Sequence, residues 1–235
     1  MGNSWFQFQQ FKIHQDRCAM KISTDAILLG TLSEAEHPQR ILDIGTGTGV
    51  IALMLAQRFD QAQLSTVELD EDAAGQAREN FAESKFGSRI QLSHGSIQEF
   101  YDPIGFDLIV SNPPYFPDHL KSNDEQRNKA LHTDTLSFEE LIDAAQRLLT
   151  PGGKFWVILP PRQLEELVKI GAAKGIELSD LISIRDRGSK PIFRQVACFS
   201  KQKRDLIQTE ICLKEESGEY SNAYQSLLSG FLLNY

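Results

Sequence analysis

The hydrophobic pattern of this chain changes character at residue 40. Before it, Phe6 and Phe8 alternate with polar residues and Phe11 and Ile13 follow less regularly, which predicts short extended pieces. A short helix is expected next, capped by Thr24 or Asp25 and closed at Gly30. From Arg40 onward, short apolar runs alternate with helical stretches. The runs 41–44, 64–69, 90–93, 106–111 and 154–159 read as strands, and the stretches 49–58, 72–83, 138–149 and 162–174 as helices. Phe138, Leu141, Ile142, Ala145, Leu148 and Leu149 share one helical face, with Ser137 placed to cap it. Pro151-Gly152-Gly153 reads as a turn. Past Gly175, strands are expected at 176–184, 195–200 and 207–214 with no helix between them, then a short docked helix within 220–235.

Strands alternating with helices imply an α/β fold with a mainly parallel sheet covered on both faces. The last strands lack crossover helices and are expected to end the sheet antiparallel. No internal repeat or low-complexity linker interrupts the 235 residues, a length that suits a single domain, 1–235. Within it, 1–39 is an ordered lead-in, 40–160 the core, and 161–235 the C-terminal part of the sheet.

Composition removes several classes of function. There is no apolar run of 18 residues and no signal-peptide layout, so neither a membrane-spanning nor a secreted protein is expected. The opening residues resemble a myristoylation signal, but Phe6 stands where Ser or Thr is needed. Cys18, Cys198 and Cys212 are far apart and contain no Cys-x-x-Cys pair, which argues against a disulfide framework or a zinc site and for a reducing cytoplasm. A net charge of −8 argues against a protein that coats nucleic acid, though not against a local basic face.

Two stretches carry chemistry. In the first, Asp43-Ile44-Gly45-Thr46-Gly47-Thr48-Gly49, glycines occur where a strand turns into a helix, so that backbone can approach a ligand at a helix N-terminus. A dinucleotide fingerprint would need glycine where Val50 stands. With Asp43 two residues before the first glycine, the loop instead suits a ligand that carries an ammonium and no pyrophosphate. Glu68, 19 residues after Gly49 at the end of the second strand of this core, can accept both hydroxyls of a ribose. Ribose, amino-acid end and no phosphate together describe S-adenosylmethionine.

In the second stretch, the strand 106–111 stops at Asn112-Pro113-Pro114-Tyr115-Phe116. The prolines have fixed φ and no N–H, so the loop offers the Asn112 amide oxygen and backbone carbonyls as acceptors beside the flat ring of Tyr115. That combination suits a planar group bearing an amine. Alone, the four residues would equally suit the end of any strand. Spaced behind the glycine loop and Glu68, they resemble the class I methyltransferases that act on amino or amide nitrogens of planar groups.

The resemblance implies a Rossmann-like, seven-stranded sheet and no metal. It further implies that Asp43, Gly45, Thr46, Gly47, Gly49, Glu68, Leu69 and Asn112 hold the cofactor, that Asn112 and Pro113 orient the amine, and that Tyr115 and Phe116 wall the base. In such enzymes an Asp often follows the third strand and meets the adenine amino group of the cofactor. Here Gly95-Ser96-Ile97 stands there, leaving Ser96 and backbone near Ile97 for that role.

The same tetrapeptide occurs in enzymes that modify adenine in DNA, adenine or guanine in RNA, and glutamine in release factors. The release-factor enzymes carry a separate N-terminal helical domain, for which the 39 residues before Arg40 are too few. The lead-in, with Phe8, Phe11, Ile13 and Gln15 and then 19–30, resembles the bacterial adenine-N6 methyltransferases that act on valine tRNA at the adenosine 3′ of the anticodon. In that family Lys21, Thr24 and Asp25 would lie at the cofactor's methionine end or the mouth of the site. A ribosomal RNA guanine-N2 or protein glutamine-N5 methyltransferase is the second reading, and a catalytically silent, cofactor-binding structural subunit the third.

RNA binding needs a basic face. Between residues 185 and 204, seven basic residues (Arg185, Arg187, Lys190, Arg194, Lys201, Lys203, Arg204) face Asp186 alone, a net +6 that leaves −14 for the rest of the chain. Arg185, Arg187, Lys190 and Arg194 are the expected phosphate contacts. A cytoplasmic monomer whose partner is tRNA is the expected state.

Overall fold

Each apolar run from residue 40 onward becomes a strand of one sheet, and the odd and even positions of those strands feed two separate cores. The computed structural model describes residues 3–18, 20–114, 136–233 and 235. In chain order the strands of the sheet are β3 (Arg40–Ile44), β4 (Gln63–Glu68), β5 (Ile90–His94), β6 (Phe106–Ser111), β7 (Leu149–Leu159), β8 (Glu177–Arg185), β9 (Ile192–Ser200) and β10 (Ile207–Cys212). A small hairpin of β1 (Trp5–Gln7) and β2 (Lys12–His14) precedes them. The helices are α1 (Thr24–Leu32), α2 (Val50–Arg58), α3 (Glu71–Glu83), α4 (Phe138–Leu148), α5 (Pro161–Ala173) and α6 (Asn222–Leu228).

The sheet order is β10-β8-β9-β7-β6-β3-β4-β5, and every neighbouring pair from β7 through β5 is parallel. Ile41, Leu108, Val110, Trp156 and Ile158 point into one core with α1, α2 and α6. Leu42, Ile44, Ile109, Phe155 and Val157 point into the other with α4 and α5. This period of two is what strands buried on both faces require.

The α/β class and the mainly parallel sheet are as expected, with corrections of detail. The sheet has eight strands, not seven, and only β9 runs antiparallel, to both β7 and β8. The connection from β7 to β8 contains α5 and returns the chain parallel, whereas 186–191 is a tight reversal that turns β9 back between them. β10 then adds parallel to β8. Pro151-Gly152-Gly153 is not a turn: β7 runs continuously from Leu149, and the extra residues form a bulge between the pairs Phe106–Leu149 and Leu108–Lys154. The cap of α1 is Ser23, whose hydroxyl accepts from Ala26 N–H, so neither Thr24 nor Asp25 caps it, and the helix runs past Gly30. Ser137 caps α4 as expected, in a capping box with Glu140.

The lead-in is clasped onto this frame. Asn80 of α3 accepts from His14 N–H at 2.8 Å and donates to the carbonyls of His14 at 2.9 Å and Thr48 at 2.8 Å, joining β2 to the glycine loop. Phe8, fully buried, bridges Leu232, and the Gln9 amide donates to the carbonyls of Leu232 and Tyr235. Trp156 of β7 donates its indole N–H to the Glu34 carbonyl just after α1. Cys18 and Cys198 are buried and all three cysteines are free. Among the described residues no helix is long and apolar enough to cross a membrane, and no cluster of His, Cys, Asp or Glu could hold a metal ion.

Candidate active site

Parallel strands end together, and here the ends of β3, β4, β5 and β6 open on a cavity of about 660 Å³. Ile44 and Gly45 leave β3 on one side, Glu68, Leu69 and Asp70 leave β4, Gly95 to Gln98 leave β5, and Ser111, Pro113 and Pro114 leave β6. Leu136 and Glu140 close it from the start of α4. The Ser111 hydroxyl donates to the Ile44 carbonyl at 3.0 Å, tying the exit of β6 to that of β3.

The glycine loop owes its path to backbone that side chains resist. Gly45, Gly47 and Gly49 have φ of +71°, +54° and +82°, and a Cβ on Gly49 would run into the Phe81 ring of α3. Glu68 braces the loop from across the cavity, with Oε2 accepting from Gly47 N–H at 2.7 Å and Oε1 from Asp70 N–H at 3.0 Å. Each oxygen keeps a second lone pair for a hydroxyl.

Asp43 lies beneath the loop, 1% exposed. Its Oδ2 accepts from the Thr46 hydroxyl at 2.7 Å, while Oδ1 has no hydrogen-bond partner. Burial pushes the carboxyl up to about 7, with the Glu68 charge adding to the rise and the Thr46 hydroxyl opposing it. An orphaned carboxylate oxygen beside a ligand loop is an acceptor that an ammonium donor would satisfy, so the residues fit a ligand with an amino-acid end.

Of the residues expected from sequence to hold the cofactor, Gly45, Glu68, Leu69, Ser96 and Ile97 line the cavity, and Leu69 is 57% exposed there. Asp43, near the end of β3, and Thr46, Gly47 and Gly49 of the loop are not among the lining residues. Pro113 lines it, and half-buried Asn112 sits between the lining residues Ser111 and Pro113. Tyr115 and Phe116 lie outside the described residues. Lys21 and Thr24 are exposed and not among the lining residues; the Lys21 ammonium reaches the Asn3 carbonyl at 3.5 Å.

Several lining residues escaped the sequence reading, among them Asp70, Glu71, Gln98 and Glu140. The Glu140 carboxylate accepts from Ser137 N–H at 2.9 Å and the Ser137 hydroxyl at 2.8 Å. The Ser137 N–H, the Gln98 amide and the Ser137 hydroxyl together hold it below the usual carboxylate range. The capping-box spacing marked Glu140 as a cap, and nothing local marked it as a cavity wall.

The sheet register divides the basic segment. Leu159 pairs with Gln195 and Arg185 with Ile192, so 186–191 lies at the same edge as the cavity. Ser200 pairs with Lys154 and Glu177 at the strands' other ends, which sends Lys201, Lys203 and Arg204 to the opposite edge. The charges facing the cavity edge are also partly matched: Arg185 by Glu210 at 2.9 Å, Arg187 by Asp186 at 3.3 Å and Arg194 by Asp25 of α1 at 2.7 Å. Lys190 is exposed and makes no close ion pair among the described residues, although Glu216 lies near enough to feel its charge.

The sequence has relatives that match nearly its whole length. A family model described as methyltransferase small domain matches residues 22–168. A protein of Pedobacter heparinus is 39% identical over 230 residues, covering 98% of both chains, and one of Yersinia pestis is 40% identical over 233 residues, covering 98% of this chain and 94% of that one. Both are named tRNA1(Val) (adenine(37)-N6)-methyltransferase. Among solved structures, a predicted O-methyltransferase from Agrobacterium tumefaciens superposes with a TM-score of 0.69 at 20% identity, over 88% of this chain and 96% of that one. The Pyrococcus horikoshii protein TYW2, solved in complex with MeSAdo, does so with a TM-score of 0.60 at 16% identity, over 86% and 74%. These two likenesses concern the fold.

Proposed function

The chain belongs to the family of bacterial tRNA1(Val) (adenine(37)-N6)-methyltransferases, within the methyltransferase small domain family, and we propose that the cavity at the ends of β3 to β6 is where it carries out that reaction. It is an S-adenosylmethionine-dependent enzyme that methylates the exocyclic N6 of an adenosine in tRNA, the one on the 3′ side of the anticodon in valine tRNA. The observation that carries the assignment of the site is that Gly45 and Glu68 on one side and Pro113 and Pro114 on the other line one cavity.

Bound S-adenosylmethionine supplies a methyl group on a positively charged sulfur. Asp43 faces the ammonium of its methionine end, the loop from Gly45 to Gly49 gives that end a close backbone surface, and Glu68 accepts the ribose hydroxyls. Leu69 and Ile97 pack against the adenine. The Asn112 side-chain oxygen and the Pro113 carbonyl each accept one N–H of the target amine. An amine held by two acceptors turns its lone pair out of conjugation with the ring and toward the methyl group. The bound cofactor would supply its methyl group to that lone pair, leaving its sulfur neutral, and the surplus proton would leave N6 afterwards. Positioning and preorganised electrostatics do this work without a strong base. Tyr115 stacks on the extruded base, a contact worth roughly 1–3 kcal/mol against the few kcal/mol of extrusion. Phe116 adds a second wall.

The RNA backbone meets the 186–191 edge, with Lys190 as its freest charge and Arg185, Arg187 and Arg194 beside it. Lys21 and Thr24 stand at the mouth of the site. The whole chain acts as one domain and, on the grounds of its free cysteines and its substrate, as a cytoplasmic monomer.

The test is transfer of tritiated methyl from S-adenosylmethionine to unmodified total tRNA, with nucleoside analysis of the product. N6-methyladenosine made by the wild type and lost in Asn112→Ala supports the assignment. Labelled ribosomal RNA or release factor with unlabelled tRNA overturns it.

A further inference from the structure

At the edge of the sheet opposite the active site there is a second cavity, of about 450 Å³. We propose that it binds a small phosphoryl compound, with the Lys154 ammonium as the central contact and Arg204 and His37 beside it. This goes beyond the methyl-transfer reading and does not depend on it.

Strand starts build this cavity as strand ends build the other. Gln39 just before β3, Asp107 near the start of β6 and Lys154 of β7 line it, together with Arg204 from beyond β9. Along β7, Lys154 lies on the same face as Trp156. The Trp156 indole holds the Glu34 carbonyl at 2.8 Å, which brings 35–37 over that face as a further wall.

The cavity leaves positive charge unmatched. Lys154 is half-buried, yet it makes neither a hydrogen bond nor an ion pair among the described residues. Cations drawn out of water are ordinarily paired, and an unpaired one costs stability. Asp107 does not serve it. Its Oδ2 accepts from the N–H groups of Gln39 at 2.9 Å and Arg40 at 3.1 Å, and its Oδ1 takes the Thr150 hydroxyl at 3.4 Å. Glu36, also in the wall, is exposed and forms no ion pair among the described residues. Arg204 has only the neutral Gln202 amide oxygen there, at 3.1 Å.

His37 is a second and independent sign. Its φ is +48°, and among the described residues no other residue except glycine has a positive φ. Such backbone is costly for a residue with a side chain and clusters at ligand sites. The Gln39 side chain donates to the His37 carbonyl at 3.2 Å and holds the bend. An ammonium, a guanidinium with N–H groups to spare and an imidazole around one small cavity match the acceptor oxygens of a phosphoryl group.

The experiment is calorimetric binding of inorganic phosphate to the full chain, at an ionic strength held constant with chloride. Wild type should bind it at one site with a dissociation constant of about 1 mM, and phosphate should raise the melting temperature. Lys154→Met keeps the stem and removes the charge. Its affinity should fall by about tenfold or more, while its ligand-free melting temperature should rise because an unmatched charge is gone. Arg204→Ala should weaken binding by a smaller factor, and Lys190→Ala at the other edge should leave it unchanged. No binding to wild type, equal binding by Lys154→Met, or a loss confined to Lys190→Ala overturns the proposal. So does a lower ligand-free melting temperature in Lys154→Met, since the ammonium would then serve the fold. Saturating tRNA separates two sources of the phosphoryl group. Phosphate binding undiminished by tRNA supports a small compound, whereas displacement gives the cavity to the RNA backbone and overturns it.

Discussion

Glu68 Oε2 accepts the backbone N–H of Gly47 at 2.7 Å while its Oε1 accepts that of Asp70 at 3.0 Å, so one carboxylate ties the ligand loop of β3 to the exit of β4. Both of its oxygens face N–H donors. An amide in its place must set its NH2 against one of them. Glu68→Gln is thus not a conservative change: S-adenosylhomocysteine affinity should fall by about 1.5–3 kcal/mol, measured by calorimetry, with Glu68→Ala no worse than slightly weaker. Unchanged affinity in Glu68→Gln would mean the ribose is held elsewhere.

Asp43 makes cofactor binding depend on pH. Its buried carboxyl titrates at about 7 in the ligand-free protein, and an ammonium beside Oδ1 favours the ionised form. Binding below that pH must therefore expel a proton, and affinity should rise by up to about tenfold per pH unit from 6 to 7 and level off above 8. Asp43→Asn should bind weakly at every pH, and its profile corrects for the ligand's own titration. Stability runs the other way. The folded protein keeps a proton that the unfolded chain releases between its ordinary value and about 7, so ligand-free stability falls as pH rises through that window. Asp43→Asn should remove that fall, worth at most roughly 3 kcal/mol between pH 5 and 8, in urea titrations at those two values.

Asp102 separates stability from activity. It holds the Arg40 guanidinium through two contacts of 2.7–2.8 Å at the start of β3, far along the strands from the cavity. The Arg40 partner, with the N–H groups of Gly105 and Ile104, keeps its carboxyl well below the usual range. The stabilisation is present above the unfolded carboxylate value and is lost as pH falls below it. Asp102→Asn should cost about 1–3 kcal/mol at pH 7 and flatten the acid limb of the stability curve. Turnover at a temperature where both proteins are folded should not change.

The two halves of the basic segment should behave differently toward RNA. Lys190→Ala at the cavity edge should weaken tRNA binding and lower the slope of log affinity against log salt by about one. Lys203→Ala at the opposite edge should leave both alone, as read by filter binding across a salt series. Equal effects would place the RNA across both edges.

What could be read in advance was whatever is decided locally. The glycine loop, Glu68 at its spacing and Ser137 as a cap are written in a few consecutive residues, and each stands where the pattern placed it. Pro151-Gly152-Gly153 did interrupt regular pairing, but with β6 alongside, the interruption became a bulge within a strand. The choice of Ser23 over Thr24 and Asp25 turns on which oxygen reaches Ala26 N–H, and Asp25 is drawn instead to Arg194, 169 residues away. The same long-range partners took charge from the basic segment. Gln98 and Glu140 became neighbours only because α4 begins over the exit of β5.

The bridge from Phe8 to Leu232 also sets an order of assembly. The cavity's strand ends are brought together by pairings such as Asp43 with Val110, all within the first half of the chain. The hairpin at the front has no finished seat until residues near 232 exist. A chain emerging from the ribosome can therefore build the ligand loop early, while the aromatic residues of the hairpin wait, exposed, for a seat made more than two hundred residues later.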